Sequence, residues 1–380
     1  EAAWRDVRAN RGAAGVDGQS IERFEARAEH YLEELSEVLK RGSYRPEAIR
    51  RVEIPKGDGK YRPLGIPAVK DRIVQAAVKR VIEPIFEHEF LSMSYGFRPG
   101  HGCKDALREV DALLREGYTY VVDADLQGYF DSIPHDRLLA QVEERISDGR
   151  LLSVLESWLE QEIVKGAERW TPSGGTPQGA IISPLLANLY LHPLDVEMTR
   201  RGYRTVRYAD DMVTLCRSEG EALQALREMQ QWVEANGLRL HPDKTHIGDC
   251  REKGQGFEFL GYRFEAGRRW VRKKSLKALK EKIRRKTRRT CGNSLEHVIG
   301  ELNPMLRGWF NYFQHARRWT FARIDPFLRR RLRAILRKQE KRPGMGRCHA
   351  DHVRWPNKYF ADAGLFTMAE AWHLASQSRC

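Results

Sequence analysis

The chain has 380 residues, enough for two or three domains with their own cores, and its 41% apolar and 31% charged residues exclude an intrinsically disordered polymer. Its net charge of +14 is gathered between residues 265 and 343, where 25 Lys and Arg face 6 Asp and Glu, so the rest of the chain is slightly acidic. A polyanion-binding module joined to a near-neutral body fits that asymmetry, with a merely solvated charged face as the alternative.

In chain order, Arg11-Gly-Ala-Ala-Gly-Val-Asp-Gly18 is a glycine-punctuated loop, and Ile21–Lys40 has the period of an amphipathic helix. Residues 50–62 read as a hairpin turning at Gly-Asp-Gly. A helix is expected over Ala68–Phe90 with Ile73, Ala76, Ala77, Val81 and Ile85 on one side. Thr119–Ala124 is a β-rich run ending at Asp125, Arg137–Ile163 is helical by period, Leu185–Met198 is a buried helix, and Ala222–Asn236 is another, stopped by Gly237. Phe257–Phe264 reads as one short strand carrying a glycine. From Ser275 the chain is helical, with Leu276, Leu279 and Ile283 beneath Lys280, Lys282, Arg284 and Arg285. Mixed elements without a fixed repeat predict an α+β body.

The stretch Thr205-Val-Arg-Tyr-Ala-Asp-Asp-Met-Val-Thr-Leu-Cys216 is β-rich, yet Asp210 and Asp211 stand side by side in it. Asp is depleted in strands, and adjacent carboxylates repel unless one is protonated or a cation intervenes. Neighbouring strand residues point to opposite faces, so these two converge only if the backbone turns there. A third carboxylate, Asp125, ends the other strand, in Tyr120-Val-Val-Asp-Ala-Asp-Leu-Gln-Gly-Tyr-Phe-Asp131. Three hard oxygen donors in one place suit Mg²⁺, and two such ions can clamp both oxygens of a phosphoryl displacement.

These segments resemble the reverse transcriptases. Tyr208-Ala-Asp-Asp211 is similar to their polymerase signature, and Asp125-Leu-Gln-Gly-Tyr-Phe130 to their first catalytic motif. The likeness continues through Thr176-Pro-Gln-Gly179 with Ser183-Pro-Leu-Leu-Ala-Asn188, Gly237-Leu…Lys244 and Phe259-Leu-Gly261. Ile54-Pro-Lys56…Arg62-Pro-Leu-Gly-Ile-Pro67 and Ser94-Tyr-Gly-Phe-Arg-Pro99 resemble the finger motifs of group II intron reverse transcriptases. Arg11–Gly18 resembles their N-terminal extension. Leu302-Asn-Pro-Met-Leu-Arg-Gly-Trp-Phe-Asn-Tyr-Phe313 and Trp355-Pro-Asn…Gly364-Leu-Phe366 resemble their thumb, or maturase, domain.

The resemblance implies a right-hand polymerase, with fingers and an antiparallel palm sheet, followed by an α-helical thumb. It divides the chain into an N-terminal extension (1–48), fingers (49–120), palm (121–265, with a finger-like helical insert at about 137–175) and thumb with its tail (266–380). Asp125, Asp210 and Asp211, with the Leu126 backbone carbonyl, would then hold two Mg²⁺ ions, while Asp123 and Asp131 cap or support, a helping role for Asp123 being the alternative. Lys56 and Arg62 would hold the triphosphate, Lys as a mobile charge and Arg as a planar fork. Phe130 would lie beneath the incoming sugar and clash with a 2′-hydroxyl; an ordinary core ring is the alternative. Gln178 and Gly179 would line the nucleotide pocket, although Ala180 replaces a second glycine usual in the family. Lys244 is a candidate proton donor to the leaving pyrophosphate. Gly261 would let the primer backbone approach, and Arg268, Arg269, Arg272, Lys273, Lys274, Arg284 and Arg285 would meet RNA phosphates. Trp309, Tyr312 and Phe313 share a helical face and read as thumb core rather than base-stacking rings.

The expected activity is RNA-templated DNA synthesis from deoxynucleotides and a primer, together with binding of a group II intron RNA to assist splicing and entry into target DNA. A splicing factor with a retired active site and a domesticated polymerase in defence or diversification are the alternatives. Cys103, Cys216, Cys250, Cys291, Cys348 and Cys380 are scattered, and Cys348 with His349 and His352 lacks a second ligand pair, so neither disulfides nor zinc are expected. The chain stops at Cys380 without the zinc-bearing nuclease of many relatives, so no second-strand cleavage is expected. With no leader and no apolar run of membrane length, a bacterial cytoplasmic location away from membranes is expected. Glu1 is not Met, so native residues are expected to precede it.

Overall fold

The computed structural model describes residues 1–57, 59–290 and 292–377; Asp58, Cys291 and Cys380 lie outside the described residues. The chain forms two compact units, Glu1–Ile247 and Gly248–Cys380. In the second unit the strands after Gly256 pack on its own helices: the Tyr262 ring stands 5.1 Å from that of Phe313, and its hydroxyl donates to the Tyr312 carbonyl at 2.5 Å.

Two sheets organise the first unit. β1 (Ile49–Gly57) and β2 (Lys60–Ile66) form an antiparallel hairpin with Ile54 opposite Arg62. β3 (Tyr120–Asp125) follows, and then β4 (Ile163–Lys165) and β5 (Glu168–Trp170) extend the hairpin to a four-stranded sheet of order β2-β1-β4-β5. The helix expected over Arg137–Ile163 is therefore two, His135–Glu143 and Gly149–Leu159, with Ile163 already in a strand. Asp148 causes the break: its side chain accepts from the Arg150 and Leu151 amides and starts a new helix. Likewise Ile21–Lys40 is split into Ile21–Glu25 and Ala28–Lys40, so that Phe24 packs on both Trp4 (4.8 Å) and Tyr31 (5.0 Å).

The second sheet, of order β6-β7-β3-β8, uses β6 (Arg204–Tyr208), β7 (Asp211–Cys216) and β8 (His246–Asp249). Apolar residues of β3 and β7 bury against the helices Ser183–Arg200 and Glu219–Ala235, whose Leu186, Tyr190, Ala225 and Met229 share one core with Val122 and Met212. The helix Val69–Glu87 departs from the expected single face. Val69, Ile73 and Ala76 enter a small N-terminal core, whereas Val74, Ile82 and Phe86 enter the main one, leaving Ala77, Val81 and Ile85 exposed. Serving two cores, it is buried around most of its first half.

In the second unit the expected strand Phe257–Phe264 is a hairpin of β9 (Phe257–Phe259) and β10 (Tyr262–Glu265), continued by β11 (Arg268–Val271). Leu260 (φ 46°) and Gly261 (φ 83°) make the two-residue turn with both φ values positive, the geometry that suits strand twist. Helices Lys273–Lys286, Leu295–Phe313 and Arg318–Gln339 follow, then three short ones ending at Gln377. Trp309 and Phe313 pack at 4.6 Å, as expected of thumb core. No helix of the described residues is long and apolar enough to cross a membrane. Gly261→Ala should destabilise the second unit by about 1–3 kcal/mol, because a side chain is strained at that φ; chemical denaturation of the native and substituted chains checks this.

Candidate active site

The register of the second sheet sets Asp125, the last residue of β3, directly opposite Asp211, the first of β7. Tyr208 pairs with Asp211 across the β6–β7 hairpin, so Ala209 and Asp210 form its two-residue tip. Ala209 has φ 59°, an uncommon conformation for a residue with a side chain. The backbone turn needed for adjacent carboxylates to converge is thus one residue earlier than the Asp pair itself. All three aspartates are half-buried.

A fully buried arginine holds this tip. Arg207 spreads its guanidinium over Asp195 of the helix Ser183–Arg200, with Nε donating to Oδ1 at 2.8 Å and Nη2 to Oδ2 at 2.5 Å. Its Nη1 donates both to Asn188 Oδ1 and to the Ala209 carbonyl, each at 2.9 Å. Asn188 Nδ2 in turn donates to the Gly96 carbonyl at 2.6 Å, and the Tyr95 amide to the Arg207 carbonyl at 2.9 Å. Asn188 and Arg207 lie within motif-like segments but, like Asp195, had no expected role of their own. The available signal was a charge in each of two apolar runs, since buried charges are kept only when paired.

On the other side of Asp125, its carbonyl accepts from the His241 amide at 2.7 Å and the Gln127 amide donates to the Arg239 carbonyl at 2.8 Å, bridging Leu126 to Leu240. Successive carbonyls of a strand point to opposite edges, so that of Leu126 is directed to the β7 side. Lys244 Nζ donates to Asp125 Oδ1 at 2.8 Å, which brings this lysine to the carboxylates themselves. Asp123 sits two residues back on the same face, 3.9 Å from His246, and Asp131 is exposed on the short helix Tyr129–Ser132.

The residues expected around the nucleotide come from distant segments. Arg62 Nε donates to Gln178 Oε1 at 2.9 Å, and the Gly65 amide to the Gln178 carbonyl at 2.6 Å. Gly179 (φ 112°) has the Gly65 carbonyl and Leu64 Cδ1 as close neighbours, the latter 2.8 Å from where a Cβ would stand. The missing side chain lets this loop dock on β2. The Thr176 amide donates to the Phe130 carbonyl at 2.6 Å, tying the same loop to the helix that carries Phe130. The Phe130 ring is 9% exposed and lies edge-on to Tyr129 at 5.6 Å, on the border of the main core. Lys56 is exposed near the end of β1.

Burial pushes the Asp210 carboxyl above its ordinary range, and the charge of Asp125 pushes it further, against a backbone hydrogen bond and the positive charges of Arg62 and Lys56. A divalent cation relieves that kind of strain. Among the described residues no three Asp, Glu, His or Cys side chains stand as a closed ligand set, and Asp125 turns to Lys244 instead. The donors still fit Mg²⁺, which takes one or two carboxylates with water and substrate oxygens in preference to an all-protein cage.

In the second unit, Gly261 has Phe313 Cζ 3.3 Å from where a Cβ would stand, so its bareness serves the turn and the aromatic core beneath it. Arg268, Lys273, Lys274, Arg284 and Arg285 are exposed. Arg269 is half-buried over the rings of Tyr262 (5.2 Å) and Phe264 (5.7 Å), and Arg272 approaches Glu258 at 4.0 Å. These two therefore serve packing as well as charge.

Arg207→Met should cost about 3–5 kcal/mol in urea unfolding, since it strands the buried Asp195 charge, and the double variant with Asp195→Leu should recover most of it. Asp210 has a folded pKa above the unfolded value, so its contribution to stability is present below the unfolded pKa and lost as pH rises through the folded one. In chelator, Asp210→Asn should therefore melt above the native chain at pH 7, with the gap closing near pH 3; calorimetry at both pH values decides.

The profile described as "Reverse transcriptase (RNA-dependent DNA polymerase)" matches residues 54–264, and "Group II intron, maturase-specific domain" matches residues 276–355. Protein YkfC of Escherichia coli is 36% identical over 288 residues, covering 66% of this chain and 75% of that one. The group II intron-encoded protein LtrA of Lactococcus lactis is 35% identical over 196 residues, 51% of this chain but only 32% of LtrA. A 91 kDa protein in the cob intron of Schizosaccharomyces pombe is 36% identical over 180 residues, 47% of this chain and 21% of that protein. The α+β body with its antiparallel catalytic-strand sheet is thus the right-hand polymerase fold, followed along the chain by a helical region. The chain belongs to the reverse transcriptases, the RNA-dependent DNA polymerases, and is of the group II intron-encoded kind, with a maturase-specific domain after its polymerase.

Proposed function

We propose that this chain extends a DNA primer along an RNA template and also binds its group II intron RNA, assisting splicing and the intron's entry into target DNA. The observation that carries the polymerase reading is the meeting of Asp125, Asp210 and Asp211 at one end of the sheet, within electrostatic reach of Arg62 and Lys56. We assign residues 49–120 to fingers, 121–265 to palm with its insert at about 137–175, and 266–380 to thumb and tail, behind an extension of 1–48.

In this reading Asp125, Asp210 and Asp211, with the Leu126 carbonyl, hold two Mg²⁺ ions, which when bound lower the pKa of the primer 3′-hydroxyl and neutralise charge on the phosphates. The protein's own part is positioning. Arg62, steadied by Gln178, presents its fork to the triphosphate of a deoxynucleotide, and Lys56 adds a mobile charge. Held in line, the 3′-oxygen attacks the α-phosphorus and pyrophosphate departs. In the same reading Lys244, paired with Asp125, gives that leaving group a proton and in doing so releases Asp125 from the ion pair. Phe130, anchored through the Thr176 amide, is the wall beneath the sugar and disfavours a 2′-hydroxyl. The exposed cations Arg268, Lys273, Lys274, Arg284 and Arg285 suit RNA phosphates, so binding should weaken steeply with salt.

Primer extension on an RNA template tests this. The native chain should make Mg²⁺-dependent cDNA, and Asp210→Ala should lose it by at least about a thousandfold while keeping RNA affinity; a splicing factor with a retired site would show no extension in either chain. Phe130→Val should raise ribonucleotide use by about tenfold or more, read as the ratio of kcat/KM values, and an unchanged ratio would remove Phe130 from the sugar wall.

A further inference from the structure

We propose that the second unit carries a stacking site for single-stranded nucleic acid, built on Trp319 and ringed by arginines. The inference rests on the RNA-binding reading for the identity of its ligand, but its residues lie outside the polymerase motifs.

Trp319 opens the helix Arg318–Gln339 and is 55% exposed, an unusual state for the largest apolar side chain. Nothing in the fold of this unit needs it there, since the helix buries a separate stripe of Phe321, Ile324, Leu328 and Leu332. The Trp270 ring on β11 meets it at right angles, with centroids 6.5 Å apart. The Arg317 amide donates to the Arg269 carbonyl at 3.2 Å, fixing the start of the helix to that strand. Between them opens a cavity of about 630 Å³, lined by Arg268, Trp270, Arg317, Arg318, Trp319 and Ala322.

The chemistry of that wall selects one ligand class. Its floor is aromatic and its rim is cationic, without a carboxylate among the lining residues. Arg323, which does not line the cavity, stacks on the Trp319 ring with its guanidinium carbon 3.3 Å from the centroid, so it takes one face of the ring and adds positive charge behind it. Arg268, Arg317, Arg318 and Arg323 form no ion pair among the described residues. Arg317 and Arg318 stand at the positive end of a helix, where cations are unfavourable. Stability of the folded chain does not account for them. A flat π-face bordered by unpaired guanidiniums suits a nucleobase joined to phosphate, and aromatic platforms with cationic rims are how single strands are bound without reading their sequence. A duplex offers only phosphates to such a wall because its bases are already stacked.

The test uses the full chain, a 15-nucleotide oligouridine and a 15-base-pair RNA duplex. Binding of the oligouridine should quench tryptophan fluorescence. Trp319→Ala should weaken oligouridine binding by about tenfold and duplex binding by less than about twofold, whereas Trp319→Phe should keep most of the single-strand affinity. Arg317→Gln with Arg318→Gln should lower the salt dependence of single-strand binding by about 0.7 for each phosphate that is no longer neutralised. Unchanged oligouridine affinity in Trp319→Ala, or an equal loss on both RNAs, would overturn the stacking site. If the native chain bound neither RNA, the RNA-binding reading itself would fail, an outcome distinct from native binding that ignores Trp319.

Discussion

The sheet end that carries Asp125, Asp210 and Asp211 depends on one buried ion pair. Arg207 and Asp195 lie out of water, and each would be costly alone. Their pairing leaves one guanidinium nitrogen for Asn188 and the Ala209 carbonyl, so a single side chain grips the helix Ser183–Arg200 and the hairpin tip together. The tip needs that grip, because Ala209 occupies a left-handed conformation that only surrounding structure can maintain. Once the tip is set, the strand register delivers Asp211 to Asp125 and leaves Asp210 in the turn beside Asp211.

Charge around the tip is balanced on a small scale. Burial and Asp125 make ionised Asp210 unfavourable, while Lys244, Arg62 and Lys56 supply positive charge from three different segments. Added positive charge favours ionised Asp210, and a second carboxylate beside it does the opposite. The Arg62–Gln178 contact links β2 to the loop before the helix Ser183–Arg200, so the groups assigned to the nucleotide are braced against the same helix that holds Asp195.

Much of this was legible in the sequence because strand and helix periods survive where cores are large. β3, β6–β7 and the helix Ser183–Arg200 lie close to their expected places. Less legible were features decided by distant partners. Ile163 and Val164 are too short a strand to announce itself and exist because β1 offers them an edge. The helix Val69–Glu87 misled the period argument because it meets two cores. The close protein neighbours of two glycines were equally hidden: Gly65 and Leu64 beside Gly179, and Phe313 beside Gly261. The roles of Arg207, Asp195 and Asn188 were invisible for a different reason, since a network of this kind is a property of three segments at once. Trp319 was not distinguished from any other tryptophan until its exposure was known.

In the proposed reading the β3 end and the β6–β7 tip make one cation site from Asp125, Asp210 and Asp211. Mn²⁺ binding, followed by paramagnetic relaxation of water protons, tests this in the native chain and in Asp125→Asn and Asp210→Asn. The native chain should bind Mn²⁺, displaceably by Mg²⁺, and each folded variant should bind it at least about tenfold more weakly. Equal Mn²⁺ affinity in all three chains would rule the shared site out.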